Sequence, residues 1–161
     1  MSQKTRRVVT GHNTNGQAIF KDDAQYEVAL IPSKDAAMLT IWTTEKVPAD
    51  LNDETDGMLR NAGTTLHGGS VIRVCDILPG QASPMHRTNS IDYGIVMEGE
   101  IELELDCGAT KLLTRGDIIV QQGTIHLWRN PSQTNTCRII FVLIEALPFE
   151  HNGKPMSELK P

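Results

Sequence analysis

From Ser70 onward, apolar and polar residues alternate in short blocks separated by glycine turns. The clearest block is Glu100–Asp106, where Ile101, Leu103 and Leu105 alternate with Glu100, Glu102, Glu104 and Asp106. A period of two marks a β-strand with one buried and one wet face, so these acids read as the solvent side of a hairpin. The same logic predicts strands over Ser70–Leu78, Ile91–Met97, Lys111–Thr114, Ile118–Gln122 and Thr124–Arg129. Pro79-Gly80, Glu98-Gly99-Glu100, Cys107–Thr110 and Arg115-Gly116-Asp117 supply the turns. Ile139–Ile144 is apolar at every position, which predicts a strand buried on both faces.

The first half is less regular. Arg7–Thr10 and Gln17–Phe20 flank the turn-rich GHNTNG and predict a hairpin. Ala24–Leu30 and Ala37–Thr43 predict further strands, and the polar stretch Val47–Thr64 predicts a short helix over Ala49–Arg60, begun at Asp50 or Asp53. Leu147–Pro161 holds three prolines and reads as a surface tail. Many short strands joined by glycine turns argue for an all-β sandwich or small barrel in a single domain. Its parts are N-terminal strands and a loop (1–69) on or extending a barrel core (70–146), then the tail (147–161).

Composition narrows the function classes. The 161 residues carry a net charge of −5, and Lys4, Arg6 and Arg7 are the only basic cluster, so no field is available to hold nucleic acid. The three cysteines, Cys75, Cys107 and Cys137, show no C-x-x-C pairing and read as free thiols. The first residues, MSQKTRRVVTGHN, are polar, and the longest apolar run falls far short of the ~20 residues that span a bilayer. The sequence predicts a cytoplasmic protein with neither nucleic acid nor membrane as partner.

Two segments carry the chemistry. Gly80–Gly99 reads GQASPMHRTNSIDYGIVMEG, and Gly116–Asn130 reads GDIIVQQGTIHLWRN. The first resembles the first cupin motif: glycine, five residues, His-x-His, a short spacer, glutamate, six residues, glycine. His86 takes the first histidine's place, Thr88 the second's, and Asp92 the glutamate's. The second resembles the second cupin motif, with His126 followed after three residues by Asn130. It lacks the turn proline, which the Gln122-Gly123 pair replaces, and is one residue shorter. The resemblance covers about Val71–Ile144. It implies a cupin, or double-stranded β-helix (jelly-roll), barrel of about six to eight strands, whose interior holds a metal or one small ligand.

Residues 86, 88, 90, 92 and 94 share one strand face, so His86, Thr88 and Asp92 can point into the barrel together. His126 and Trp128 share a face on another strand. The resemblance implies His86, Asp92 and His126 as ligands of a divalent metal such as Fe, Mn, Ni or Zn. Two histidines and a carboxylate form the facial-triad set, but aspartate is shorter than glutamate by one C–C bond, about 1.5 Å. The metal-free alternative uses the same residues as general acid and base near neutral pH, removing a proton beside a carbonyl. Thr88 would then orient the substrate and Trp128 would form a flat apolar wall. Dehydration, isomerisation, decarboxylation and cyclisation all use such chemistry. The motif variant HRTNSIDYG with GTIHLWRN resembles small cupins of fungal polyketide pathways, often described as oxidoreductases. The expected partner is therefore a small-molecule substrate, with a non-catalytic ligand-binding module as the rival reading.

Other residues stay marginal. Arg73 could face the barrel and bind a substrate carboxylate or phenolate, or lie outside and pair with a surface acid. Trp42 reads as a pocket wall or as core packing. Tyr93 has the opposite parity to Asp92 and faces away, toward a subunit contact. Met85 and Met97 read as core fillers and His67 as a loop residue; His12 and His151 lie in loop or tail contexts. The doubly apolar Ile139–Ile144, the N-terminal strands and the family's habit of pairing predict a homodimer.

Overall fold

The computed structural model describes residues 4–160. A hairpin of β1 (Lys4–His12) and β2 (Ala18–Glu27) is followed by β3 (Ala29–Leu30), β4 (Ala36–Thr44) and a single 3-10 turn at Gly57–Leu59. Then come β5 (Ser70–Ile77), β6 (Ser90–Glu98), β7 (Glu100–Leu105), β8 (Thr110–Thr114), β9 (Ile118–Gln122), β10 (His126–Arg129) and β11 (Cys137–Glu145). A small tail hairpin of β12 (Glu150–His151) and β13 (Lys154–Pro155) completes an all-β fold. Six strands form one sheet in the order β3-β4-β5-β11-β6-β9, and three form a second in the order β10-β7-β8.

The period-two pattern explains how the sheets meet. Ile101 and Leu103 of β7 and Trp128 of β10 face Cys75, Ile77, Val96, Cys137 and Ile139 of the larger sheet. β11 runs between β5 and β6. A strand with neighbours on both edges and packing on both faces must be apolar at every position. Ile139 and Leu143 are buried on the inner side. On the outer face of this sheet, Ile140 joins Val28, Ala37, Leu39, Ile41 and Val74.

Three features depart from the sequence reading. The expected strand Ala24–Leu30 is split: β2 stays with β1 to Glu27, β3 joins β4, and buried Val28 anchors the crossing. The expected helix over Ala49–Arg60 shrinks to the 3-10 turn. Asp50, Asp53 and Asp56 each accept a hydrogen bond from the backbone N–H two residues on, which offers the chain a turn in place of a helical bond. In β4, a bulge between Thr40 and Trp42 breaks the alternation. Met38 packs toward the inner core and Thr40 sits opposite Arg73, so strict alternation would have sent Trp42 inward. The extra residue puts Trp42 on the outer face.

Across the larger sheet, Gln121, Asp92, Leu143 and Val71 are neighbours in one inner row. The next inner row is Ile119, Gly94, Phe141 and Arg73. A side chain on Gly94 would sit 2.7 Å from Ile119 and 3.0 Å from the Phe141 ring, so the glycine is what lets that ring cross the interior. Beyond this row the inner face turns apolar, with Cys75, Ile139 and Val96. The interior therefore has a polar end and an apolar end.

Candidate functional site

The polar end is built on the entry to β6. Thr88, Ser90 and Asp92 are all buried on the inner face. The Thr88 hydroxyl lies 2.9 Å from Ser90 Oγ, and Ser90 Oγ donates to Asp92 Oδ1 at 2.5 Å. Burial pushes the Asp92 carboxyl up to about 6, against the opposing pull of the Ser90 hydrogen bond and the Arg73 charge. Gln121, directly across on β9, is buried beside it.

Two histidines meet at the neighbouring wall. His86 and His126 exchange backbone hydrogen bonds of 2.9 and 3.0 Å, and their ring centroids are 4.3 Å apart. Each ring places Nδ1 2.9 Å from a backbone carbonyl, Pro84 O for His86 and Thr124 O for His126. A carbonyl only accepts, so these contacts are hydrogen bonds in the tautomer that carries the proton on Nδ1; Gln121 Nε2 also lies 3.2 Å from His126 Nδ1. Burial drives the His126 pKa down to about 4, so this imidazole is neutral near pH 7. Trp128 lies edge-on beneath His126 at 5.6 Å and contacts Phe141 at 5.3 Å.

Arg73 settles between its two sequence readings: it faces the interior. Its Nη2 donates to Gly63 O and Thr64 O at 2.8 and 2.9 Å. Its Nε is buried with no acceptor among the described residues. Burial lowers its pKa, against the opposing charges of Cys75 and Asp92.

Of the residues singled out from sequence, His86, Thr88, Asp92, His126 and Arg73 share the polar end. Trp128 belongs to the buried core below it, at 5% exposure. Trp42 is not brought there: the bulge turns it outward, where its ring lies 5.9 Å from the Arg7 guanidinium. His67 is an exposed loop residue whose Nδ1 lies 2.6 Å from Glu145. Tyr93 is half exposed on the outer face. Cys75 and Cys137 are buried free thiols.

Sequence reasoning passed over Ser90 and Gln121, although strand parity already placed Ser90 beside Asp92. It also gave the tail no role. Leu159 exchanges backbone hydrogen bonds of 2.8 and 3.0 Å with Arg87, and Glu158 accepts from the Asn89 N–H, which ties the tail to the segment bearing His86 and Thr88. No local pattern signals such a long-range clasp.

The donor set does not fit a resident metal ion. Among the described residues no three His, Cys, Asp or Glu side chains converge closely enough to hold one. Thr88 occupies the second histidine's place, and Asp92 is engaged by Ser90. A cleft of about 630 Å³ opens at the same end of the sheet, beside Asn89, Glu145 and Glu158. A cleft of about 660 Å³ lies elsewhere, between the N-terminal hairpin and the 45–60 loop. Its basic residues are held in ion pairs, among them Arg7 with Asp56, Lys21 with Glu54 and Arg60 with Asp53, and acidic residues are in excess on its walls. The groups with perturbed protonation and unused valences are in the barrel.

Comparison with known proteins agrees with this architecture. Residues 73–143 match the cupin domain model. The chain is 42% identical to phomopsin biosynthesis cluster protein C' of Diaporthe leptostromiformis, over 92% of this chain and 82% of that one. It is 35% identical to the cupin-domain-containing oxidoreductase virC of Hypocrea virens, over 97% and 84% of the two chains. In fold it is similar to the crystal structure described as a putative ethanolamine utilization protein of Salmonella typhimurium, with a TM-score of 0.56 and 14% identity over 91% and 98% of the chains. With a paired-sheet jelly roll, both motif segments at its polar end and relatives matched over most of both chains, the chain belongs to the cupin family.

Proposed function

We propose that this cupin is an enzyme that performs acid–base chemistry on a small organic metabolite of biosynthetic, polyketide-like type held at the polar end of the barrel. One observation carries the reading: a buried carboxyl pushed up to about 6 shares a wall region with two imidazoles whose Nδ1 atoms meet backbone carbonyls. A base is most effective when its pKa lies near the working pH. Asp92 has that property and takes a proton from carbon next to a substrate carbonyl. Ser90, fed by Thr88, holds its carboxylate in one orientation. His86 and His126 accept hydrogen bonds from substrate hydroxyl groups at Nε2. Dehydration, isomerisation and cyclisation begin with such a step, and in decarboxylation the enolate left by loss of CO2 takes up a proton at that carbon.

The test follows hydrogen–deuterium exchange of small β-dicarbonyl compounds in heavy water by NMR. The wild-type protein is expected to speed exchange alpha to the carbonyl, and Asp92→Asn is expected to lose about a hundredfold or more of that rate. Equal rates for the two proteins would sink the reading. A second reading, a metal-dependent oxidoreductase, is favoured by the name of the virC relative. Metal analysis of protein purified without chelator separates the two: stoichiometric metal, with activity lost on chelation, supports the oxidoreductase.

A further inference from the structure

Arg73 is a half-buried cation with no carboxylate in ion-pair range among the described residues. Arg6, Arg7, Arg60, Arg129 and Arg138 each hold a carboxylate. At Arg73 the acceptors among the described residues are at Nη2, and both are neutral carbonyls. Its Nε–H points to none. A guanidinium does not escape burial by losing its proton, so its charge persists and the cost of desolvation stands. An unsatisfied buried donor costs more than a satisfied one gains. Retaining such a group on the inner face, one row from Asp92, is explained if a ligand supplies the missing oxygen.

We propose that the Arg73 guanidinium is the docking point for an anionic oxygen of the substrate. That oxygen is a carboxylate carried by the substrate, or the enolate or phenolate oxygen that appears when a neighbouring proton leaves. The inference rests on the reading of the barrel's polar end as the reaction site. It adds the substrate class, an acid or a readily enolised carbonyl compound. Arg73 would then fix the anionic oxygen while Asp92, across the same end, handles the proton. A planar guanidinium suits a planar oxyanion and discriminates it from a neutral group of the same shape.

Calorimetric titration of the full chain tests this with three probes: benzoate, its neutral isostere benzamide, and 4-nitrophenol at a pH below its solution pKa. Wild-type protein is expected to bind benzoate at least about tenfold more tightly than benzamide, the difference a charge-assisted hydrogen bond supplies. Tight 4-nitrophenol binding with the absorbance of the phenolate identifies the enolate-like source; benzoate binding alone identifies the carboxylate. Arg73→Gln is expected to abolish the preference for the anion, and Arg73→Lys to keep part of it. Loss of the loop tether at Gly63 and Thr64 would weaken both isosteres alike, so the ratio, not the affinity, is decisive. Circular dichroism confirms that the variants fold. A benzoate-to-benzamide ratio near one in wild type, an unchanged ratio in Arg73→Gln, or no anion binding at millimolar probe overturns the proposal. Those outcomes leave the exchange assay on Asp92 untouched, so the two readings fail separately.

Discussion

Two arginines, one with carboxylate partners and one without, contrast two regions of this protein. Arg7, in the seam under the N-terminal hairpin, is 4% exposed and fully answered. Asp56 grips it at 2.7 and 2.8 Å, Asp22 at 3.0 Å and the Tyr26 hydroxyl at 3.2 Å, and the Tyr26 ring lies 4.8 Å from the guanidinium. Those partners, the Asp56 hydrogen bond foremost, raise its pKa despite burial. Arg73, on the inner face, has no carboxylate in hydrogen-bonding range among the described residues; desolvation outweighs the charges of Cys75 and Asp92, and its pKa falls. The same side chain in two settings has opposite responses. The difference separates a group that holds the fold from the one that the proposal assigns to a ligand.

The comparison breaks or sharpens most strongly at the seam. Arg7→Met strands Asp56 and Asp22 around a missing cation and is expected to cost about 3 kcal/mol in urea unfolding. It should leave probe binding in the barrel unchanged. A loss of binding with no loss of stability would reverse the two assignments.

The next largest effect is at Asp92 and depends on pH. Its folded pKa of about 6 lies above the ordinary 3.8, so the folded state favours the neutral acid. Its contribution to stability is whole below about pH 3.8 and is lost as pH rises through about 6. At pH 7 the ionised carboxylate therefore carries a penalty of about 3 kcal/mol. Asp92→Asn should be more stable than wild type by up to that amount at pH 7, with the advantage vanishing near pH 3.8. Melting the two proteins across this range checks the sign; a constant difference would show that desolvation is not the cause.

Arg73→Met comes third. It removes an unanswered charge and fills similar volume, so thermal stability should change by less than about 1 kcal/mol, in either direction. A cost as large as that of Arg7→Met would make Arg73 a structural residue. The smallest effect belongs to Arg129, which is 41% exposed at its side chain and paired with Glu102 and Glu104 at 2.5 and 2.8 Å. Arg129→Gln should cost under about 1 kcal/mol, and high salt should erase the difference.

Much of the fold was legible because side-chain alternation is a local property. β5 to β11 fall within a residue or two of the segments the alternation marks, and the face shared by Thr88, Ser90 and Asp92 follows from parity alone. Parity failed where the backbone left its period. The bulge at Thr40/Trp42 reversed the facing of Trp42, and nothing in LTIWTTE announces an extra residue. The Asx turns at Asp50, Asp53 and Asp56 replaced a helix with the same polar composition. Arg73 was undecided because an arginine amid apolar neighbours is equally at home inside a barrel with a partner or outside it in water.

The sequence by itself determined the all-β class, the family motifs and the residue types at the polar end, since these depend on spacing along one chain. It also placed His86 and His126 as candidates before any coordinates. Only the tertiary structure decided their state. Whether an imidazole keeps its Nε2 free depends on which carbonyl meets its Nδ1, and for His126 that is Thr124 O. Whether a carboxyl sits near 6 depends on how much water the opposing sheet excludes. Whether an arginine is satisfied depends on acids that lie far away in the chain, such as Asp56 for Arg7. Desolvation and pairing are properties of what surrounds a group in space, and a sequence read residue by residue does not contain them.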